Sequence, residues 1–146
     1  MKESTLQCHV ADYLRLQYPH VLFHSDYGSG IKLTPGQAAK QKRQNGGRRA
    51  WPDMFIAEPR TLGNRCLEGL LVEPYHGLFI ELKKDGTRIY KKDGTLVADQ
   101  HIREQHALLV ELERRGYMAR FAVGFDQAKQ IIDEYLGGPV TEKVEF

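Results

Sequence analysis

The chain has 146 residues, 41% of them hydrophobic and 27% charged, which suits a soluble globular domain with a real core. Its formal net charge of +2 carries little information about partners, so the distribution of charge matters more than its sum. No stretch approaches the roughly 18 apolar residues of a membrane helix. The opening MKESTLQCHV lacks the apolar run of a signal peptide, and Cys8 and Cys66 make no CxxC pattern or disulfide framework, so an intracellular, reducing setting is expected.

Leu6, Val10, Tyr13, Leu14 and Tyr18 recur at helical spacing and predict an amphipathic helix over 3–18, ended by Pro19. Val21 to His24 is a short strand candidate. The stretch from Tyr27 to Pro52 holds six Lys or Arg and no Asp or Glu. Its middle, Gln37 to Gln44, reads as a short helix, and its glycines mark the rest as loop. Asp53 to Ala57 is an apolar strand. Residues 58–76 are irregular, with "GLLVE" (69–73) as a candidate extra edge strand. Leu78 to Lys83 is a strong strand. The pentapeptide KKDGT then occurs at 83–87 and again at 91–95. Asp-Gly favours tight turns, so a short "RIY" strand (88–90) is predicted between two turns. Asp99 caps a helix from Gln100 to about Arg115, buried through Ile102, Leu108, Leu109 and Leu112 and stopped by Gly116. A strand over 117–123 and a helix from 125 or 126 to Leu136, stopped by Gly137-Gly138, complete the order. This predicts an α/β fold, a mixed sheet with helices packed on it, in one domain over 1–138 with a mobile tail over 139–146.

Strand side chains alternate between two faces. Leu78, Ile80 and Leu82 therefore share one face, and Phe79, Glu81 and Lys83 share the other. An acid and an amine on an apparently internal strand are either solvated or part of a site, because burying charge is expensive. A neighbouring strand that starts at Pro52-Asp53 would bring Asp53 beside Glu81. Two carboxylates at adjacent strand ends suit a hard cation, and Mg²⁺ takes only one or two of them. Lys83 points to the same side, where its ammonium can orient water or stabilise phosphate charge. Leu82 points into the core and leaves its carbonyl available to the ion.

Pro52-Asp53 followed by Glu81-Leu82-Lys83 resembles the PD-(D/E)XK nuclease signature. The nearer resemblance is to its VRR-NUC branch, the virus-type replication-repair nucleases. It is carried by Glu3 on the first helix, "GGRRAWPDMFI", "GLFIELKK", and Gln105 in "REQHALLVELERRGY", and it spans roughly residues 3–137. The resemblance implies a restriction-endonuclease-like core. It implies Mg²⁺ or Mn²⁺ held by Asp53, Glu81 and the Leu82 carbonyl, a catalytic Lys83, Glu3 near the metal, and Gln105 near the site. It also implies a homodimer acting on branched DNA such as Holliday junctions, in DNA repair or a phage setting. Two departures are visible: the Asp53-to-Glu81 interval is long, and the second KKDGT hairpin delays the following helix. Both bear on substrate geometry more than on chemistry.

The acid-free basic stretch fits such a substrate, since phosphate contacts supply most nonspecific nucleic-acid affinity. Lys32, Lys40, Lys42, Arg43, Arg48 and Arg49 precede Asp53. Lys84 and Arg88, with Lys91 and Lys92, form a second cluster beyond Lys83. The bland alternatives are an Asp53 that only starts a strand, a surface Glu81–Lys83 ion pair, an acid at position 3 that only suits the helix dipole, and a solvated basic face. Trp51 and Tyr27 could stack on bases, with core packing the expectation for Trp51. Cys8 is expected to pack on the first helix. The scattered histidines form no zinc motif. The rival functions are a noncatalytic branched-DNA-binding module and a nuclease acting on RNA. The first helix and the 58–76 insertion are candidate dimer interfaces.

Overall fold

The structure, a computed structural model, describes residues 1–26, 32–61 and 74–139. The elements run α1 (Glu3–Gln17), β1 (Phe23–Ser25), α2 (Pro35–Gln44), β2 (Met54–Ile56), β3 (Leu78–Lys83), α3 (Gln100–Arg114), β4 (Met118–Val123) and α4 (Gly124–Leu136). The four strands form one sheet in the order β1-β2-β3-β4. β2 pairs antiparallel with β1 and with β3, while β4 pairs parallel with β3. The sheet is therefore mixed, and β3 is an inner strand.

Two apolar layers sandwich it. On one side Leu6, Val10 and Leu14 of α1 and Ala128, Ile132 and Leu136 of α4 pack with Met54, Ile56, Leu78, Ile80 and Leu82. On the other, Leu108, Leu109 and Leu112 of α3 pack with Ala119, bordered by Phe79, Tyr117 and Phe121. Burial of a Leu or Ile side chain is worth about 1.5–3 kcal/mol. Leu78, Ile80 and Leu82, all essentially inaccessible, thus fasten β3 firmly from its apolar side. Phe55 and Phe79 stack across β2 and β3 at 4.5 Å on the other face. Gly77 allows that approach, since a Cβ there would lie 2.8 Å from the Ile56 carbonyl and 2.6 Å from the Phe55 ring.

Most boundaries follow the sequence. Asp99 caps α3 by accepting the Ile102 N–H at 3.0 Å. α4 ends on Gly137 in the left-handed conformation, with φ 84°. α2 begins two residues before the predicted Gln37, because Thr34 and Gln37 form a capping box and Pro35 is tolerated in the first turn. β1 begins at Phe23 rather than Val21. The predicted 88–90 strand is not formed. Asp93 closes the second turn by accepting from both the N–H and the hydroxyl of Thr95. The segment then makes a single isolated bridge, Tyr90 to Leu96. At the first turn, Asp85 packs against Gly124, at the electropositive start of α4. The "GLLVE" strand candidate and residues 140–146 of the predicted tail lie outside the described residues.

Candidate active site

One residue beyond the Met54–Ile80 pair, the antiparallel register sets Asp53 opposite Glu81. Both belong to the face that carries Phe55 and Phe79, away from the larger core. The Asp53 carboxylate accepts the Leu82 backbone N–H at 2.8 Å. A strand residue projects its N–H and C=O to the same edge. The Leu82 carbonyl therefore faces the Asp53 side rather than the ladder to β4. Asp53 is also held through its main chain: its carbonyl accepts the Asp26 N–H at 2.8 Å and lies 3.4 Å from the Gln7 amide nitrogen. Gln7 donates as well to the Ser25 hydroxyl at 2.6 Å and the Asp26 carbonyl at 2.8 Å, pinning α1 to the ends of β1 and β2.

Asp53, Glu81 and Lys83 are only 7%, 4% and 6% exposed. That removes the surface-ion-pair reading, since an inner strand carries these charges beneath a cleft wall. The Gln105 amide, from α3, donates to Glu81 Oε1 at 2.7 Å and lies 3.2 Å from His101 Nε2. Glu81 Oε2 and Gln105 Oε1 are buried with no hydrogen-bond partner among the described residues. Burial, then the negative charge of Asp53, push the Glu81 carboxyl well above the usual carboxylate range, with Lys83 pulling the other way. Two buried like charges and an unsatisfied carboxylate oxygen make a site that a divalent cation would relieve. An all-oxygen donor set of this kind suits a hard divalent cation. Among the described residues no three His, Cys, Asp or Glu side chains are grouped to hold a metal. The two carboxylates and the Leu82 carbonyl are the donors here that could hold such an ion.

These groups open into a cleft of about 800 Å³. Its lining brings together the predicted Glu3, Asp53, Glu81, Lys83 and Gln105 with Lys42, Arg48 and Arg49. Of the other predicted DNA-binding residues, Lys32, Lys40, Arg43, Lys84 and Arg88 are exposed but stand outside this lining. The cleft also holds Asp26, His101 and Trp51. The expectation of a core Trp51 is wrong: the residue is 38% exposed, and its ring lies beside that of Phe79 at the border of the smaller core. Ala50 before it has φ 64°, a left-handed conformation that turns the chain sharply where the basic loop enters β2. Cys8, expected to pack, is exposed on α1. Tyr27 lies outside the described residues. Sequence reasoning missed Gln7 and His101. Each had a signal, a polar residue four positions from another site residue on the same helix, Glu3 and Gln105 respectively.

No protein-family model matches the chain, and no curated protein matches it. A solved structure described as a VRR_NUC domain protein matches with a TM-score of 0.60 and 24% identity, over 94% of this chain and 89% of that one. The class defined by the architecture is α/β, among the described residues a mixed four-stranded sheet flanked by four helices. Within it, the chain has a VRR_NUC-like fold. Among the described residues no helix is long and apolar enough to cross a membrane.

Proposed function

We propose that the chain is a metal-dependent endonuclease that hydrolyses DNA phosphodiester bonds, selecting branched DNA such as four-way junctions. The observation that carries this reading is the buried Asp53–Glu81 pair with Lys83, opening into a cleft walled by Lys42, Arg48 and Arg49. The VRR_NUC-like fold supports it.

Asp53, Glu81 and the Leu82 carbonyl would hold Mg²⁺ or Mn²⁺, with Glu3 on the cleft wall adding negative charge nearby. A divalent ion there supplies Lewis acidity to the phosphoryl group. The Lys83 ammonium offers three donors to a phosphate oxygen or the attacking water and stabilises the negative charge that grows in the transition state. Gln105 fixes the rotamer of Glu81 by donating to one oxygen and leaving the other toward the site. Gln7 and Asp26 hold the backbone of Asp53, so the two carboxylates keep their spacing. Lys42, Arg48 and Arg49 neutralise substrate phosphates, which makes binding steeply salt-dependent. Symmetric cutting of a junction requires two such sites, which a two-fold homodimer supplies.

The test is cleavage of labelled four-way junction, flap, duplex and single-stranded DNA, and of matched RNA, with Mg²⁺, Mn²⁺ or EDTA. Paired, metal-dependent nicks in the junction arms, lost in Asp53→Ala while binding persists, are expected. Undiminished cleavage by Asp53→Ala would overturn the assignment. Tight junction binding without cleavage would make the chain a binding module, and preference for RNA would move the substrate class. Light scattering during the assay reads the dimer: junction resolution by a monomer would remove it.

A further inference from the structure

Trp51 is out of place as a core residue and well placed as a contact. It is the sole tryptophan of the chain, it is 38% exposed, and it lines the same cleft as Asp53, Glu81 and Lys83. Exposure alone is ordinary, since Tyr90 is 51% exposed; what sets Trp51 apart is its place in the cleft. It is also braced. Its ring centroid lies 6.3 Å from that of Phe79, tilted by 49°. Phe79 in turn stacks on Phe55 at 4.5 Å and meets Tyr117 edge-on at 5.2 Å. An aromatic supported by two layers of rings presents its remaining surface rigidly, so little side-chain entropy is lost when something stacks on it.

The main chain adds to this. Ala50, immediately before Trp51, has φ 64°. A non-glycine residue there costs about 1–2 kcal/mol. Strain of this kind persists where the surroundings hold the chain in one conformation. Here it falls between the cationic pair Arg48-Arg49 and the metal-ligand candidate Asp53, and it fixes how the ring follows the basic loop into the cleft. A planar ring beside cationic side chains that grip phosphates is the combination by which proteins hold unpaired nucleotides: the cations track the backbone and the ring takes a base face. Bases within a duplex are stacked on each other and cannot offer that face.

We propose that Trp51 is a stacking platform for one unpaired nucleobase beside the phosphate to be cut, which makes the cleft selective for nucleic acid with a single-stranded or unstacked nucleotide at that point. The inference rests on the nuclease reading above and narrows its branched substrates to those with an unpaired or unstacked nucleotide at the phosphate to be cut, as at a flap or at the branch point of a junction.

The single tryptophan allows a direct test on the unmodified chain. Intrinsic fluorescence is titrated in EDTA with three oligonucleotides: a duplex with a single-stranded flap, the same flap with abasic positions in place of its bases, and a fully paired duplex. Anisotropy of a labelled strand measures binding in parallel. Strong quenching by the flap alone is expected, with little by the abasic or paired DNA. Trp51→Ala should weaken flap binding by about 5- to 150-fold, corresponding to the alanine-scan range for one stacked base. It should leave duplex affinity within about two-fold, and Trp51→Phe should restore most of the loss. Equal quenching by all three DNAs, or equal weakening of flap and duplex in Trp51→Ala, overturns the platform while leaving the nuclease reading standing. Absence of binding to any of them overturns both.

Discussion

Two carboxylates show how this molecule separates structure from chemistry. Asp133 of α4 accepts hydrogen bonds from the Tyr13 hydroxyl at 2.6 Å, the Tyr18 hydroxyl at 2.7 Å and the Lys129 ammonium at 3.0 Å. Burial alone would raise its pKa, but the three bonds outweigh it and hold the carboxyl below its ordinary value near 3.8. Asp133 thus ties α1 to α4 and is fully occupied in doing so. Glu81, more deeply buried, has one oxygen on Gln105, while the other finds no donor among the described residues and faces the Asp53 carboxylate, and its carboxyl is pushed up. The fold satisfies the acid that holds helices together and leaves unsatisfied the acid that faces the cleft. Buried polar groups without partners destabilise, so one that persists calls for an explanation outside the packing, and a bound ion in the cleft is the one proposed above.

The contrast breaks most sharply at Glu81→Gln. Removing the charge should lower cleavage by about 10³-fold or more, because metal-assisted charge stabilisation is worth several kcal/mol. In EDTA the same variant should be more stable than wild type by about 1 kcal/mol, read from urea unfolding. A loss of stability instead would mean that Glu81 is structurally satisfied, like Asp133.

Asp133→Ala should do the reverse. It strands two tyrosine hydroxyls, while the exposed Lys129 ammonium turns to water, so a destabilisation of about 1–3 kcal/mol is expected, with cleavage per folded molecule within about two-fold. The pH dependence follows from the sign of each shift. The Asp133 carboxyl is depressed in the folded state, so its contribution is present above about pH 3.8 and is lost as pH falls through the lower folded value. Tyr13 is pushed up to about 12, chiefly by burial and then by its bond to Asp133, and Tyr18 is raised in the same way. Their contribution is present below the ordinary phenol value near 10 and is lost as pH rises through the folded values. The clamp should therefore loosen at both extremes. In Asp133→Asn the acid-side loss should flatten, which thermal melts between pH 2.5 and 7 would read.

A third comparison uses the cation itself. The raised carboxyl of Glu81 binds a proton that a metal must displace, so Mn²⁺ affinity should climb with pH, by up to about tenfold per unit while that proton is being released. Calorimetry in buffers of different ionisation enthalpy would count the proton. Affinity flat with pH would place the ion away from Glu81. The smallest effect is expected at Ala50→Gly, which relieves the left-handed backbone and should add at most about 1 kcal/mol of stability.

Much of this was legible in the sequence, and the reasons are specific. Alternation along 78–83 separated the apolar anchors from Glu81 and Lys83, because a strand turns successive side chains to opposite faces and each face here keeps its own chemistry. Asp99, Gly116 and Gly137 punctuated the helices as their cap chemistry requires. What stayed hidden depended on tertiary placement. Trp51 looks like core by composition, yet it lines the cleft, immediately after the left-handed Ala50. Gln7 reads as helix surface and is buried because it bridges two strand ends. The 88–90 strand failed because a turn signal says where a chain reverses, not how many pairs follow. The basic stretch was clear as charge, but only the fold sorts Lys42, Arg48 and Arg49 onto the cleft and leaves Lys32, Lys40 and Arg43 outside its lining.

The cleft gathers Glu3, Asp53, Glu81 and Gln105 from elements spread along most of the chain. At about 5–20 residues per second of synthesis, roughly 5–20 s separates the appearance of the first of these side chains from that of the last. During that interval α1 and β2 can exist without α3, and neither the cleft wall nor the hold of Gln105 on Glu81 is present. β3 itself lacks its parallel partner until β4 emerges. A cleft assembled this late is incomplete on the nascent chain, so the order of elements works as a timer that delays whatever chemistry Asp53 and Glu81 carry until the walls of the cleft stand together.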